Sequence, residues 1–437
     1  MADTNGLKKT LTPFMLWGLG VGYVISGMYF GWNLGLEKGG TLGLAIATAV
    51  IMVMYVTFSF SYAELACAIP KAGGVFDYAN TALGKNLGFI AGIAQMVEFI
   101  FAPPAIAFAI GAYFNAFFPQ VPILTSAIAV YFVFTALNIY GIKAAASFEV
   151  IVTILAVGEL LLFSGITLPK FRAENLVQNN FPNGWSGVFA AIPFAIWFFL
   201  GIEGVANVAE ETKNPQKDIS KGFGWAIFTL AILCVLVFIS TIGIGGWEAI
   251  VYKNGKSGET SDSPLPLALS MITGDNHLMY HLLITVGLFG LVASFHGLVL
   301  AAGRSTYEMG KAKSIPAVLG KISPKFQTPA NALIGNMVVG IIALLSGKTG
   351  DIIVISVFGA LTLYIISMVS VMVLRKHKPD MERPFRTPIY PLFPILALLI
   401  ACGSFVAMLI YNLKLGIIYL AIVLAVFLLY KIFKKAD

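Results

Sequence analysis

The hydrophobic positions of this chain gather into long runs separated by short polar stretches. Twelve runs stand out, at 13–36, 41–67, 87–118, 121–141, 148–168, 185–209, 222–246, 279–310, 330–346, 351–375, 390–411 and 413–432. A bilayer-spanning helix needs about 20 mostly apolar residues. The pattern therefore predicts an all-α membrane protein with twelve transmembrane helices. The longest polar interval, about 247–278, is too short for a separate domain and is expected to lie over the outer mouth.

Two runs are poor helices. The stretch "GVGYVISGMYFGWNLGLEKGG" (20–40) carries Gly20, Gly22, Gly27, Gly31 and Gly35, with Ser26-Gly27 near the middle of the first run. Glycine inside a helix costs roughly 1 kcal/mol relative to alanine. Irregular backbone at membrane depth is tolerated only where it is buried in protein or lines a cavity. Gly27, Gly31 and Gly35 also have the four-residue spacing that lets helices pack closely. The sixth run adds Pro193, and Gly201 and Gly204 bracket Glu203. Matched interruptions in two halves of a chain point to a secondary transporter built from inverted repeats, with its site at the half-helix ends. Five spans per repeat fit the spacing. The expected division is a tail 1–12, a first repeat 13–168, an inverted second repeat 169–376, and two further helices with a tail, 377–437.

Composition supports the membrane reading. Hydrophobic residues make up 58% and charged residues 11%, against about 25% charged in soluble domains. With the amino terminus inside, about 21 of the 28 Lys and Arg fall on the inner side, which predicts that both termini are cytoplasmic. The net charge of +7 is this bias, so no nucleic-acid site is read into it. The terminal "KKAD" reads as a solvated tail. The first run is too long for a signal-peptide core and lacks a convincing cleavage site. Cys67, Cys234 and Cys402 are far apart and read as small apolar fillers. No disulfide framework, metal spacing or cofactor motif is apparent.

Three segments carry a family resemblance. "GIEGVANVAEETKNPQKDI" resembles the sixth-helix signature of the amino acid–polyamine–organocation superfamily. "SYAELACAIPKAGGVFDYA" (61–79) resembles its motif at the end of helix 2, and "AAGRSTYEMGKAKSIPAVLGKISPKFQTPANAL" its helix 8–9 connection. The resemblance covers nearly the whole chain and implies the leucine-transporter-like fold, two inverted five-helix repeats plus two helices. Within the superfamily, "GVGYVISGMYFGWNLGL", "VEFIFAPPAIAFAIGAYF" (97–114) and "ASFHG" (293–297) look most like ethanolamine permeases. An acidic residue often follows the Ser-Gly of helix 1 in that subfamily. Here the position is Met28.

The resemblance implies that the helix 1 break, Ile25, Ser26 and Gly27, offers backbone N–H groups to substrate. It also implies that the helix 6 break, Phe198, Phe199, Leu200, Gly201 and Ile202, offers carbonyls. Trp197 matches an aromatic that covers the substrate as a gate, with Phe199 the next candidate. A cation over an aromatic face gains about 0.5–2 kcal/mol.

The isolated acids are read from the pattern itself. Glu98 lies inside an apolar span with no Lys or Arg after Lys85. A central charge costs about 2.5–3.5 kcal/mol on insertion scales, so Glu98 reads as a counter-charge for a cationic substrate or as a protonated structural group. Glu159 in span 5 stands where proton-coupled relatives often carry a lysine. It either relays protons or faces another helix. Glu203 reads as a partner for unwound backbone first and a proton site second. Glu64, Glu210 and Glu211 are expected to pair with Lys71, Lys213 or Arg304 at the inner gate. Ser294 and Leu298 share one face of span 8, and His296 points nearly opposite, toward another helix.

These features predict a carrier for a small organic amine, ethanolamine fitting best, by alternating access with protons as a candidate coupling ion. An amino acid permease is the alternative. An intramembrane enzyme should show a catalytic cluster and a channel a repeated filter loop, and the sequence has neither.

Overall fold

A computed structural model describes residues 9–140, 145–255, 257–274 and 278–436. Lys143 and His277 lie outside the described residues, as does most of the expected tail 1–12. The first helical elements are α1 (Pro13–Val24), α2 (Ser26–Tyr29), α3 (Asn33–Ala68), α4 (Val75–Leu83), α5 (Lys85–Phe117), α6 (Ile123–Tyr140) and α7 (Ala145–Thr167). Next come α8 (Glu174–Val177), α9 (Gly184–Trp197), a 3-10 segment Ile202–Glu211, α10 (Pro215–Gly245), α11 (Trp247–Val251) and α12 (Pro264–Thr273). The chain finishes with α13 (Leu278–Lys311), α14 (Ala330–Leu344), α15 (Thr349–His377), α16 (Leu392–Tyr411) and α17 (Leu413–Ala436).

Among the described residues, ten helical segments are long and apolar enough to cross a membrane. Of the twelve expected spans, the first and the ninth are covered by shorter helices. The first run is divided among α1, α2 and the start of α3, and Gly31 (φ 85°) turns the backbone into the left-handed region between α2 and α3. Gly40 separates the end of the first run from the second within α3. The ninth run is the 15-residue α14, closed by Gly347 at φ 67°.

The α5 helix and the segment through α9 are the most completely buried, whereas α6, α16 and α17 present much apolar surface outward. Apolar surface facing lipid carries no penalty, so these helices need no polar face. The broken elements pack against each other in antiparallel register. Gly20 faces Val205, Gly27 faces the Trp197 carbonyl, Gly35 faces Phe194 and Gly39 faces the Gly187 carbonyl. A side chain at Gly27 would collide with the Trp197 backbone. The small residues therefore act as the seat of α9 as well as the place where the first run breaks.

The long polar interval holds α11 and α12. It is tied to two spans: Asn33 Nδ2 donates to Ser261 O at 2.8 Å, and Thr349 Oγ1 donates to Asp262 Oδ2 at 3.0 Å. Burial pushes the Asp262 carboxyl up to about 6, offset in part by the Thr349 bond.

Candidate functional site

The first break opens at Ile25–Ser26, beside the expected Ser26-Gly27, and widens at Phe30–Trp32. Ile25 N donates to Val21 O at 2.8 Å, still helical. At the next position the ladder opens to admit a side chain from α13. Ser26 N donates to Ser294 Oγ at 2.9 Å, and Ser294 Oγ donates to Gly22 O at 2.6 Å. One helical turn, Ser26–Tyr29, follows before Phe30 extends (φ −160°, ψ 174°). The chain reverses at Gly31, whose positive φ a residue with a Cβ rarely adopts. The freed carbonyls are satisfied by other helices: Tyr113 OH donates to Tyr29 O at 3.2 Å, and Trp197 Nε1 donates to Phe30 O at 3.1 Å.

The second break begins at Phe198, where α9 ends, and passes through Gly201 at φ 98° into the 3-10 segment. A Cβ at Gly201 would lie 3.5 Å from Tyr23 O, and one at Gly204 would strike the Tyr23 ring. The two breaks thus face each other. The three aromatics of α9 and its end diverge. Trp197 meets Phe30 edge to face at 5.5 Å, Phe198 stacks on Trp32 at 5.4 Å, and Phe199 leans on Tyr55 at 5.2 Å. Ile25, Gly27, Leu200 and Ile202 are buried beside them.

Glu98 and Glu203 converge on this second break. The two carboxyls lie close to each other and to the Gly201 backbone. Tyr364 OH donates to Glu203 Oε2 at 3.1 Å and contacts Tyr55 OH at 2.9 Å. Both oxygens of Glu98 and Oε1 of Glu203 are buried without a donor. Sequence reading picked out each acid but not their juxtaposition, nor the tyrosines around them.

The other isolated acids have partners. Tyr29 OH donates to Glu159 Oε2 at 2.6 Å. Its own carbonyl receives Tyr113, so Glu159 joins the network that holds the first break. His296 Nδ1 lies 3.2 Å from Glu149 Oε2 of α7. Glu149 was missed because it stands near the polar start of its run, where an acid arouses no suspicion. Its burial comes from packing against Gly22 and Gly297.

Of the three acids expected at the inner gate, Glu211 meets Arg304 at 2.6 Å. Glu64 instead receives a two-pronged bond from Arg375 at 2.7 Å and the backbone N–H of Thr387 at 2.7 Å. The reason is register: α15 ends beside α3 and brings Arg375 within reach. Glu210 accepts the Ala72 N–H at 3.3 Å. A cavity below the breaks is lined by Tyr23, Glu149, Glu211, His296, Leu300 and Arg304. Among the described residues, no group of three His, Cys, Asp or Glu is placed to hold a metal ion.

Comparison with known proteins decides the family. Residues 11–428 match the family described as "Amino acid permease". The chain belongs to that family. This permease is 28% identical to the branched-chain amino acid permease BcaP of Bacillus subtilis over 433 residues, covering 91% of this chain and 88% of the relative. It is 26% identical to the methylthioribose transporter of the same organism over 418 residues, covering 91% and 87%. It is 27% identical to the low-affinity putrescine importer PlaP of Escherichia coli K12 over 356 residues, covering 78% and 75%. The permease is a multi-pass membrane protein of the amino acid–polyamine–organocation superfamily and a secondary transporter of small organic substrates.

Proposed function

We propose that the permease carries a small organic cation, ethanolamine fitting best, by alternating access in a leucine-transporter-like inverted repeat in the cell membrane, both termini cytoplasmic. The Glu98–Glu203 pair carries this reading. Two carboxyls packed together in a low-dielectric interior do not both stay ionised without a counter-charge. They share a proton or receive a cation. A primary ammonium has three N–H donors, and three oxygens of the pair lack a donor. Ile25, Ser26, Gly27, Phe199, Leu200, Gly201 and Ser294 would line the remainder, with Trp197 as the lid. An inside-negative potential would favour cation entry by roughly 2.3 kcal/mol per 100 mV. A thermal-shift screen with ethanolamine, choline, small amines and the common amino acids tests the reading, because a ligand of the folded state raises its stability. Ethanolamine should stabilise the permease more than any neutral amino acid.

Stabilisation by neutral amino acids alone would favour the second reading, an amino acid permease. That reading is supported by Met28 in place of an acid and by the branched-chain relative.

A further inference from the structure

We infer that Glu149 and His296 form a protonation site governing the cavity beneath the two breaks. This rests on the permease being a carrier with a mobile first helix, not on which substrate it moves. Both side chains are buried, on different helices, and meet at 3.2 Å. Glu149 Oε2 faces the imidazole, while Oε1 is buried without a donor and lies where a Cβ on Gly22 would be. Gly22 is the residue whose carbonyl accepts from Ser294, at the point where the α1 ladder opens. The carboxylate is therefore pressed against the hinge of the first helix, and glycine at 22 is what allows the approach.

The surrounding groups leave Glu149 and His296 to each other. From α1 comes the Tyr23 phenol, whose OH has no partner. From the 3-10 segment comes Glu211, which is paired with Arg304 of α13. The rings of Phe134 and Phe148 flank the imidazole at 6.1 and 6.3 Å. With one titratable proton shared between them the pair carries no net charge, either as carboxylic acid and imidazole or as carboxylate and imidazolium. Without it, a buried carboxylate faces a neutral ring, and the favourable response is for α1 to withdraw and admit water. Proton loss to the cavity would thus accompany its opening.

The test uses protons as the only ligand. The full-length permease, with its three native cysteines replaced and a single cysteine at Leu300→Cys, is placed in nanodiscs. The rate of maleimide labelling is measured from about pH 5.5 to pH 7.5 and normalised to unfolded protein. The parent should label at least about fivefold faster at the higher pH, a coupling of ordinary size. Glu149→Gln and His296→Gln should each abolish the pH response, and Glu149→Asp should keep part of it. A pair that merely holds the fold would lower the thermal midpoint of the variants without creating a pH response in the parent. A flat parent profile, or a full response in either folded variant, overturns the inference. Because no substrate is added, neither result depends on ethanolamine being the cargo.

Discussion

Ser294 replaces a rung of the first helix: its hydroxyl takes the Ser26 N–H at 2.9 Å and donates to Gly22 O at 2.6 Å, standing between two groups that would otherwise bond to each other. A side chain inserted into the helix ladder is a recognised cause of a bend. Here it joins α13 to the broken helix.

Removal of that hydroxyl leaves a buried N–H and C=O to find each other or go unpaired. Ser294→Ala should lower stability by about 1–3 kcal/mol, with Ser294→Thr retaining most of it. Denaturation of the purified variants, read by intrinsic fluorescence, checks this. A Ser294→Ala protein as stable as the parent would show that the ladder closes without cost.

Gly27 tolerates no side chain, because a Cβ there meets the Trp197 carbonyl. Gly27→Ala should therefore separate the two breaks and cost on the order of 1–3 kcal/mol as overpacking. Gly43→Ala is the control, since its nearest neighbours are at 3.6 Å and leave ordinary contact distance. Equal thermal midpoints for the two variants would remove Gly27 from the interface.

Trp197, the proposed gate, makes two contacts with Phe30, an edge-to-face ring contact and a bond to its carbonyl. Trp197→Phe keeps the ring and loses the bond, while Trp197→Ala loses both. Ligand affinity should fall in the order parent, Phe, Ala. If Trp197→Ala lowers the midpoint yet leaves affinity and uptake per folded molecule unchanged, the tryptophan is a packing residue and Phe199 takes its place as the candidate.

Asp262 gives a pH dependence at the polar end of the fold. Its folded value, about 6, lies above the ordinary 3.8 because burial disfavours the charge. The unfolded chain therefore releases this proton at lower pH than the folded one. The contribution of Asp262 is most favourable below about pH 4, declines between about pH 4 and pH 6, and is lost above that. Asp262→Asn keeps an acceptor for Thr349 and should raise the midpoint near neutral pH by the equivalent of about 1–3 kcal/mol. The gain should vanish toward pH 4. Thermal midpoints of both proteins across that range decide it.

Long apolar runs made the helical membrane class legible, and the paired glycine lesions made the two breaks legible. The separate roles of the glycines at the first break were less so. Gly27 and Gly31 look alike in sequence, yet one is needed for backbone approach and the other for positive φ. Only the partner helix distinguishes them. The same limit hid Glu149, Tyr55 and Tyr364, whose roles arise from elements far apart in the chain. Glu98 was legible because an acid isolated in an apolar span demands a reason. That its partner is Glu203 depends on how α5 meets the second break.

The central claim, that Glu98 supplies the counter-charge for a cationic substrate, is tested most directly by the affinity of the purified permease for ethanolamine with and without that charge. Glu98→Gln preserves volume, removes the charge and replaces one acceptor oxygen with an N–H donor group. Isothermal titration of the folded variant should show binding weakened at least about tenfold, or 1.4 kcal/mol, while a neutral amino acid, if bound at all, loses far less. Ethanolamine binding within about twofold of the parent would contradict the account.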